Sequence, residues 1–475
     1  MSILSVASMF LKQSSSFIEF EERLIPAIAE LVCTQVSLAI ERYDDTLCFG
    51  HQDWQILRKD TRSIQCLFGT LVFKRRLVKD GAGRVSHPLD QALGLPRARR
   101  YSPLLMARVA QLASRAVLRT VALAVDAFTP GSISAPTVDK IMHETGQDLN
   151  EVEQVQAVAP AATEAPKRCV PQLFIEGDAF EVKLKHGQRV MVNRLQLSEG
   201  VETVGKRRVL INRHVVSGIS HEAVFNEMAR YLKAHYDRRH VALISGSDNG
   251  SGYAPDDFSV FARRGQSHVH VLDVYHLNRK LKERFSTMPV GLKEKLRKAV
   301  FSGDQTGVNA VLDTADALAT SDAYSAQTVE NLGKLRGYLA RNWSNIVPLV
   351  SLDWHQTGLG SCESNHRAYT YRLKKQGRSW TKNGLVAILR IIDAGQNGTL
   401  AQSLSETALF DTAMPAEREA SVEIPRDFKM VALFKQSNRA HSGARPGKID
   451  AQGVTGTSFG RMAKQLNDLN LNTAM

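Results

Sequence analysis

The chain reads as an α/β protein, a mixed β-sheet with flanking helices and a helical insertion, preceded by a mainly helical region. Three observations predict this. From Cys169 to about residue 285, apolar runs of strand length alternate with amphipathic helical stretches. Residues 290 to about 350 are helical and polar in pattern, with no strand among them. Residues 96–150 hold three apolar-periodic segments divided by helix start and stop signals.

In chain order, the opening MSILSVASMFLKQSSSFIEF has no basic n-region and no small-residue cleavage site, and reads as a loose N-terminus. Phe17, Phe20, Leu24, Ile25, Ile28, Leu31, Val32 and Val36 follow at helical spacing, predicting a helix to about Glu41. RSIQCLFGTLVFKRRLVKD alternates around Gly69, which predicts a hairpin followed by a basic strand. Residues 1–95 therefore form an N-terminal helix with a small strand-rich region. Cys48, His51 and Cys66 are too few and too widely spaced for a zinc site, and no zinc is expected.

In 96–150, Ser102 caps a helix with Pro103 in its first turn. TPGSIS breaks the second helix and Ser134-Ala-Pro-Thr137 starts the third. Arg97, Arg99, Arg100, Arg108, Arg115 and Arg119 lie in or just before the first two helices, which suits a helix-turn-helix DNA reader. A three-helix bundle with a solvated basic face is the alternative. Residues 151–168, rich in Ala, Pro and Val, read as a linker.

The sheet domain is expected over 169–400. QLFIEGDAFEVKLKH is a strand turning at Gly187 into RVMVNRLQLSEG, and KRRVLINRHVVSG is a third strand. HEAVFNEMARYLKAHY is a helix, VALISGSDNG a short buried strand, and HVHVLDVYHLNRKLKERF a strand running into a helix. The insertion spans about 286–355 and separates the sheet from two last helices, and 401–475 forms a polar C-terminal extension.

The 475 residues suffice for two or three domains, and the net charge of +13 favours a polyanionic partner. Five cysteines without a Cys-x-x-Cys pair fit a reducing cytoplasm. No apolar run reaches the length of a membrane span, so no membrane association is expected.

Four acidic segments carry the chemistry. Asp178 lies mid-strand beside Gly177, Asp248 ends its strand at Ser-Asp-Asn-Gly, Asp273-x-x-His276 joins a strand to a helix, and Glu363 opens a basic helix. Carboxylates at strand carboxyl ends converge where ligands meet open α/β sheets. A few such groups suffice for magnesium, and two ions about 3.5–4 Å apart can activate water and stabilise a leaving oxygen. Strand alternation puts Glu176 on the face of Asp178, as a partner behind it. After Glu363, Arg367, Arg372, Lys374, Lys375 and Arg378 would hold phosphates, with Tyr369, Tyr371 and Trp380 available to stack on an unpaired base. A solvated basic helix with core aromatics is the alternative.

In this order, a strand Asp, a second strand-end Asp, Asp-x-x-His, a helical insertion and Glu before a basic helix, the chain resembles the DDE transposases. It is most similar to the Mutator-like, ISLre-type bacterial insertion-sequence group with a ribonuclease-H-like domain. RYSPLLMARVAQLASRAVLRTVA looks like that group's DNA-binding stretch, and ESNHRAYTYRLKKQGRSWTKNGL like its Glu-to-Trp segment. The resemblance implies a metal triad of Asp178, Asp248 and Glu363, with Asp273 and His276 as an auxiliary catalytic motif. It implies two Mg²⁺ ions, with Mn²⁺ able to substitute, double-stranded transposon ends and target DNA as partners, and at least a dimer on DNA in the bacterial cytoplasm at the nucleoid. The implied reaction is phosphodiester hydrolysis at the transposon end, followed by attack of the freed 3′ hydroxyl on target DNA. One departure is that relatives often carry a Cys-x-x-Cys signature before the hairpin, where only Cys48 and Cys66 stand here. A stand-alone ribonuclease-H-like nuclease or resolvase, a helix-turn-helix regulator, and a glycosidase-like carboxylate pair are the competing readings.

Overall fold

The computed structural model describes residues 3–51, 53–158, 166–320, 324–346 and 359–405, apart from the side chains of 155–158, 363 and 364. Helix α1 (Ile3–Gln13) occupies the stretch expected to be loose. Helix α2 (Phe17–Phe49) begins where predicted, capped by Ser16, and outruns the expected end at residue 41. By length and composition α2 could cross a membrane, contrary to the expectation that no such stretch exists. One stripe of it instead serves the hairpin of β1 (Gln55–Cys66) and β2 (Gly69–Lys79). Val72 N donates to Ser37 Oγ (3.2 Å), Lys74 N to Glu41 Oε1 (2.7 Å) and Arg76 N to Asp44 Oδ1 (3.3 Å). Alternate amides on the open edge of β2 thus meet side chains at positions 37, 41 and 44 of one helix face, which satisfies an edge otherwise free to pair with another chain. β3 (Val85–Ser86) and α3 (Pro88–Ala92) close this region.

Helices α4 (Pro103–Ala113), α5 (Leu118–Phe128) and α6 (Ala135–Val158) are the three predicted helices. α6 continues through residues 151–158, where a linker was expected. Residues 159–165 of that linker lie outside the described residues. The region is also no separate body: Ala107, Ala110, Met142 and Leu149 share one core with Val182, Tyr369, Trp380, Leu385 and Ile388 of the sheet domain. Gly146 permits this, because a Cβ there would stand 2.4 Å from the Cα of Ala387.

The sheet contains β4 (Gln172–Lys183), β5 (Arg189–Ser198), β8 (His214–Gly218), β9 (Ala242–Ser247) and β10 (His268–Leu272), in the order β10-β9-β4-β5-β8. β4 pairs parallel with β9 and β9 with β10, whereas β5 runs antiparallel to both β4 and β8. The third predicted strand is broken. Its first half is β7 (Arg207–Leu210), which pairs in a small hairpin with β6 (Val201–Val204) just before it, and Asn212, at φ 47°, turns the chain into β8. Helix α7 (His221–His235) crosses to β9, packing Val224, Phe225, Met228 and Leu232 on one face of the sheet. A short helix α8 (Pro255–Phe258) precedes β10.

Helix α9 (Val274–Arg284) follows β10, and the insertion holds α10 (Val290–Phe301), α11 (Gln305–Ala319) and α12 (Ala326–Ile346). Their apolar faces join Phe174, Ile244, Val271 and Leu272 in a core beside the parallel strands. Residues 347–355 of the expected insertion, and the extension from 406 onward, lie outside the described residues. Helices α13 (Cys362–Lys374) and α14 (Lys382–Asn397) cover the other face.

Candidate active site

Strand register builds the site. Glu176 lies opposite Gly246 on the parallel pair β4–β9, so two residues further Asp178 and Asp248 stand level. Leu272 lies opposite Ser247 on β9–β10, so Asp273 is level with Asp248. Three aspartates therefore form a row across neighbouring strands, where β9 and β10 end. Asp178, Asp248, Asp273, His276, Glu176 and Cys362 line one small cleft there.

Each carboxylate is tied locally. Asp178 Oδ1 accepts from Ala179 N (2.7 Å), and Asp248 Oδ1 accepts from Gly250 N (2.8 Å). Asp273 Oδ1 accepts from His276 N (2.8 Å), capping α9, so the Asp-x-x-His spacing is first of all a helix start. That spacing also sets His276 Nδ1 3.6 Å from Asp248 Oδ2. The imidazole holds Asp248 below the ordinary carboxylate range, and Asp248 in turn raises His276 against the opposing effect of burial. Gly177 provides close approach, though to the protein itself: a Cβ would lie 2.7 Å from the Tyr253 ring and 2.8 Å from that of Phe258.

Glu363 is in the first turn of α13, as expected of a helical glutamate, and its side chain lies outside the described residues. His366, one turn further, places Nδ1 3.5 Å from Asp178 Oδ2, and burial pushes its pKa down to about 3, so the ring is neutral. Burial raises the Cys362 thiol far above its usual value, which leaves it unreactive. Glu176 is buried behind the row. Burial raises its pKa to about 7, while the amides of Gly360 and Ser361 donate to it and oppose that rise.

His366, Arg194 and Gln196 were not singled out from the sequence. The turn over residues 185–187, closed from Leu184 to Gln188, puts residues 194 and 196 across from 178 and 176. His366, three residues after Glu363, shares its helix face. A row of hard carboxylate oxygens has the donor chemistry of a Mg²⁺ or Mn²⁺ site. Among the described residues, no three His, Cys, Asp or Glu side chains stand together as ligands.

The basic residues divide. Arg97, Arg100, Arg115, Arg119, Arg367, Lys374 and Lys375 are exposed. Arg99 is held by Glu144 and by Asp148 (2.8 Å), and Arg378 by Asp139 (2.6 Å). Three expectations are corrected, for Trp380, Arg372 and Tyr369. Trp380 is 1% exposed and donates Nε1–H to Leu373 O (3.2 Å), so it cannot stack on a base. Arg372, also 1% exposed, donates to Ala113 O (2.6 Å) and lies over the Trp380 ring, away from any phosphate. Both fill the interface that joins α4 to α13. Tyr369 is likewise core, whereas Tyr371 is half exposed. Arg115 and Arg367, distant in sequence, line one cleft of about 410 Å³ with Tyr371. A second cleft of about 620 Å³ contains Lys183, Arg189, Lys374 and Arg378.

Residues 10–406 match an uncharacterised protein family, UPF0236. The chain belongs to the UPF0236 family. A relative from Streptococcus gallolyticus, described as "UPF0236 protein in vanSb 3'region", is 32% identical over 404 residues, covering 84% of this chain and 87% of the relative. The UPF0236 match takes in the N-terminal hairpin, the aspartate row and α13 together.

Proposed function

We propose that the chain is a DDE transposase of an insertion sequence, a metal-dependent DNA endonuclease and strand transferase of the ISLre-type, Mutator-like kind. The aspartate row carries this reading: Asp178, Asp248 and Asp273 stand level on three strands, and the α13 turn containing Glu363 lies against Asp178 through His366. A central β4 joined by a hairpin to β5 and by parallel pairing to β9, which in turn pairs parallel with β10, supports a ribonuclease-H-like sheet.

Asp178, Asp248 and Glu363 would hold the metal. Bound Mg²⁺ would supply an activated water and charge stabilisation at phosphorus. His276 orients Asp248, and Asp273 fixes His276 through the start of α9. In the first step water bonds to phosphorus and the P–O3′ bond breaks, leaving a 3′ hydroxyl and a 5′ phosphate. In the second, that hydroxyl bonds to a target phosphorus and displaces a target 3′ oxygen. The exposed ridge Arg367, Tyr371, Lys374 and Lys375, between two basic clefts, supports a DNA path along α13. Helices α4 and α5, with Arg115 and Arg119 exposed, are proposed to read the transposon ends, and at least two copies to assemble on them.

The test incubates the full chain with Mg²⁺, linear DNA bearing the element's own ends, and a target plasmid. Cut ends with 3′ hydroxyls that become joined to the plasmid are expected. Cutting without joining would indicate a nuclease or resolvase, and binding with neither would indicate a regulator.

A further inference from the structure

The first turn of α13 is held by buried polar groups of the sheet. Its N-cap residue, Ser361, makes no side-chain capping hydrogen bond. Glu176 on β4 takes that place, accepting from Gly360 N, Ser361 N (3.3 Å) and Ser361 Oγ (3.1 Å). A carboxylate there also suits the positive end of the helix. Gln196 on β5 donates to Glu176 (3.3 Å) and Ser361 Oγ (2.8 Å), and its Oε1 accepts from Asn365 Nδ2 (2.9 Å) and Arg194 (2.7 Å). Arg194 donates to Cys362 O (3.1 Å).

These three residues are 4%, 2% and 1% exposed, in the order Glu176, Gln196, Arg194. Glu176 faces Gln196 and Asp178 faces Arg194 across the β4–β5 ladder. Burying a carboxylate and a guanidinium is costly, and apolar side chains of similar volume would often be at least as stable, so fold stability is a weak reason for such a network. Its geometry supplies another. Glu176 and Asp178 are two residues apart on one face of β4, about 7 Å along the strand. The same strand thus presents Asp178 and grips the turn that contains residue 363.

We propose that Glu176, with Gln196 and Arg194 behind it, is a positioning residue that sets the first turn of α13, and so residue 363, against Asp178. The proposal rests on the transposase reading, because it assigns the clamp to the cutting step.

The test uses full-length Glu176→Gln, which replaces an acceptor by a donor facing the amides, with two readouts. Amide hydrogen exchange over 361–366 is expected to quicken at least about tenfold as the turn loosens. Single-turnover cutting of linear DNA bearing the element's ends is expected to fall about a hundredfold, with DNA affinity and thermal midpoint nearly unchanged, since an ångström of misplacement can cost that much. The exchanged pair Glu176→Gln with Gln196→Glu restores a matched donor and acceptor and is expected to recover part of the rate. Unchanged exchange overturns the clamp. Faster exchange with cutting within about twofold of wild type overturns the positioning role. If Glu176→Gln fails to fold, Ser361→Ala is judged by the same two criteria. A wild-type chain that does not cut refutes the transposase reading instead, while exchange still decides whether the clamp exists.

Discussion

The two ends of α13 differ in kind. Its first turn is fixed to β4 and β5 by Glu176, Gln196 and Arg194, and His366 there touches Asp178. Its last turn ends in Lys374 and Lys375, both in solvent, beside an Arg372 that is wholly buried. The difference teaches that position on a helix face, not charge in the sequence, decides whether a basic residue serves a partner or the fold. Changes on the buried side should alter stability and leave DNA affinity alone, and changes on the exposed side should do the reverse.

The largest effect on stability is expected at Trp380. Trp380→Ala removes a ring packed between Arg372, Arg378 and the core, and should cost about 3–5 kcal/mol in denaturant unfolding. If the loss is small and DNA binding collapses instead, Trp380 is a DNA contact and the division of α13 is wrong.

Next comes Asp393 on α14, which anchors the middle of α13 by accepting from Tyr369 OH and from Ser217 N (2.7 Å). Burial raises its pKa to about 6, opposed by those hydrogen bonds and by Arg390. The folded carboxyl therefore binds its proton more tightly than the unfolded one. Its contribution to stability falls as pH rises from about 4 to about 6 and is flat above, a change of up to about 3 kcal/mol. Thermal midpoints across that window should show the slope in wild type and a smaller one in Asp393→Asn. Equal slopes would place the titration elsewhere.

The smallest effect in energy lies on the exposed end. Lys374→Glu with Lys375→Glu should weaken DNA binding about tenfold or more and flatten its salt dependence, with stability within about 0.5 kcal/mol. An unchanged salt slope would move the DNA path off α13.

The acidic row was legible because strands obey a period of two and parallel registers carry an offset from pair to pair. Asp178 and Asp248 were expected to meet if their strands were neighbours, and the pairing of β4 with β9 makes them so, with Asp273 joining them through β10. The start and stop of α4 and the position of Glu363 on a helix were readable for equally local reasons. Trp380 and Arg372 were not, because their burial is caused by α4, more than 250 residues earlier, through the carbonyl of Ala113. The same long-range packing merges α4–α6 with the sheet domain through Gly146 and Ala387, which no local pattern announces. The break at Asn212 lay inside an apolar run that reads as one strand, since a single residue at positive φ leaves little trace in periodicity.

The central claim, that the row and the α13 turn form one metal-dependent DNA-cutting site, is tested most directly by single-turnover cleavage of end DNA with Mg²⁺ by Asp178→Asn, Asp248→Asn and Glu363→Gln. Each should lose about a thousandfold or more in rate while binding the DNA within about threefold of wild type. Three variants that bind and still cut at near wild-type rates would contradict it.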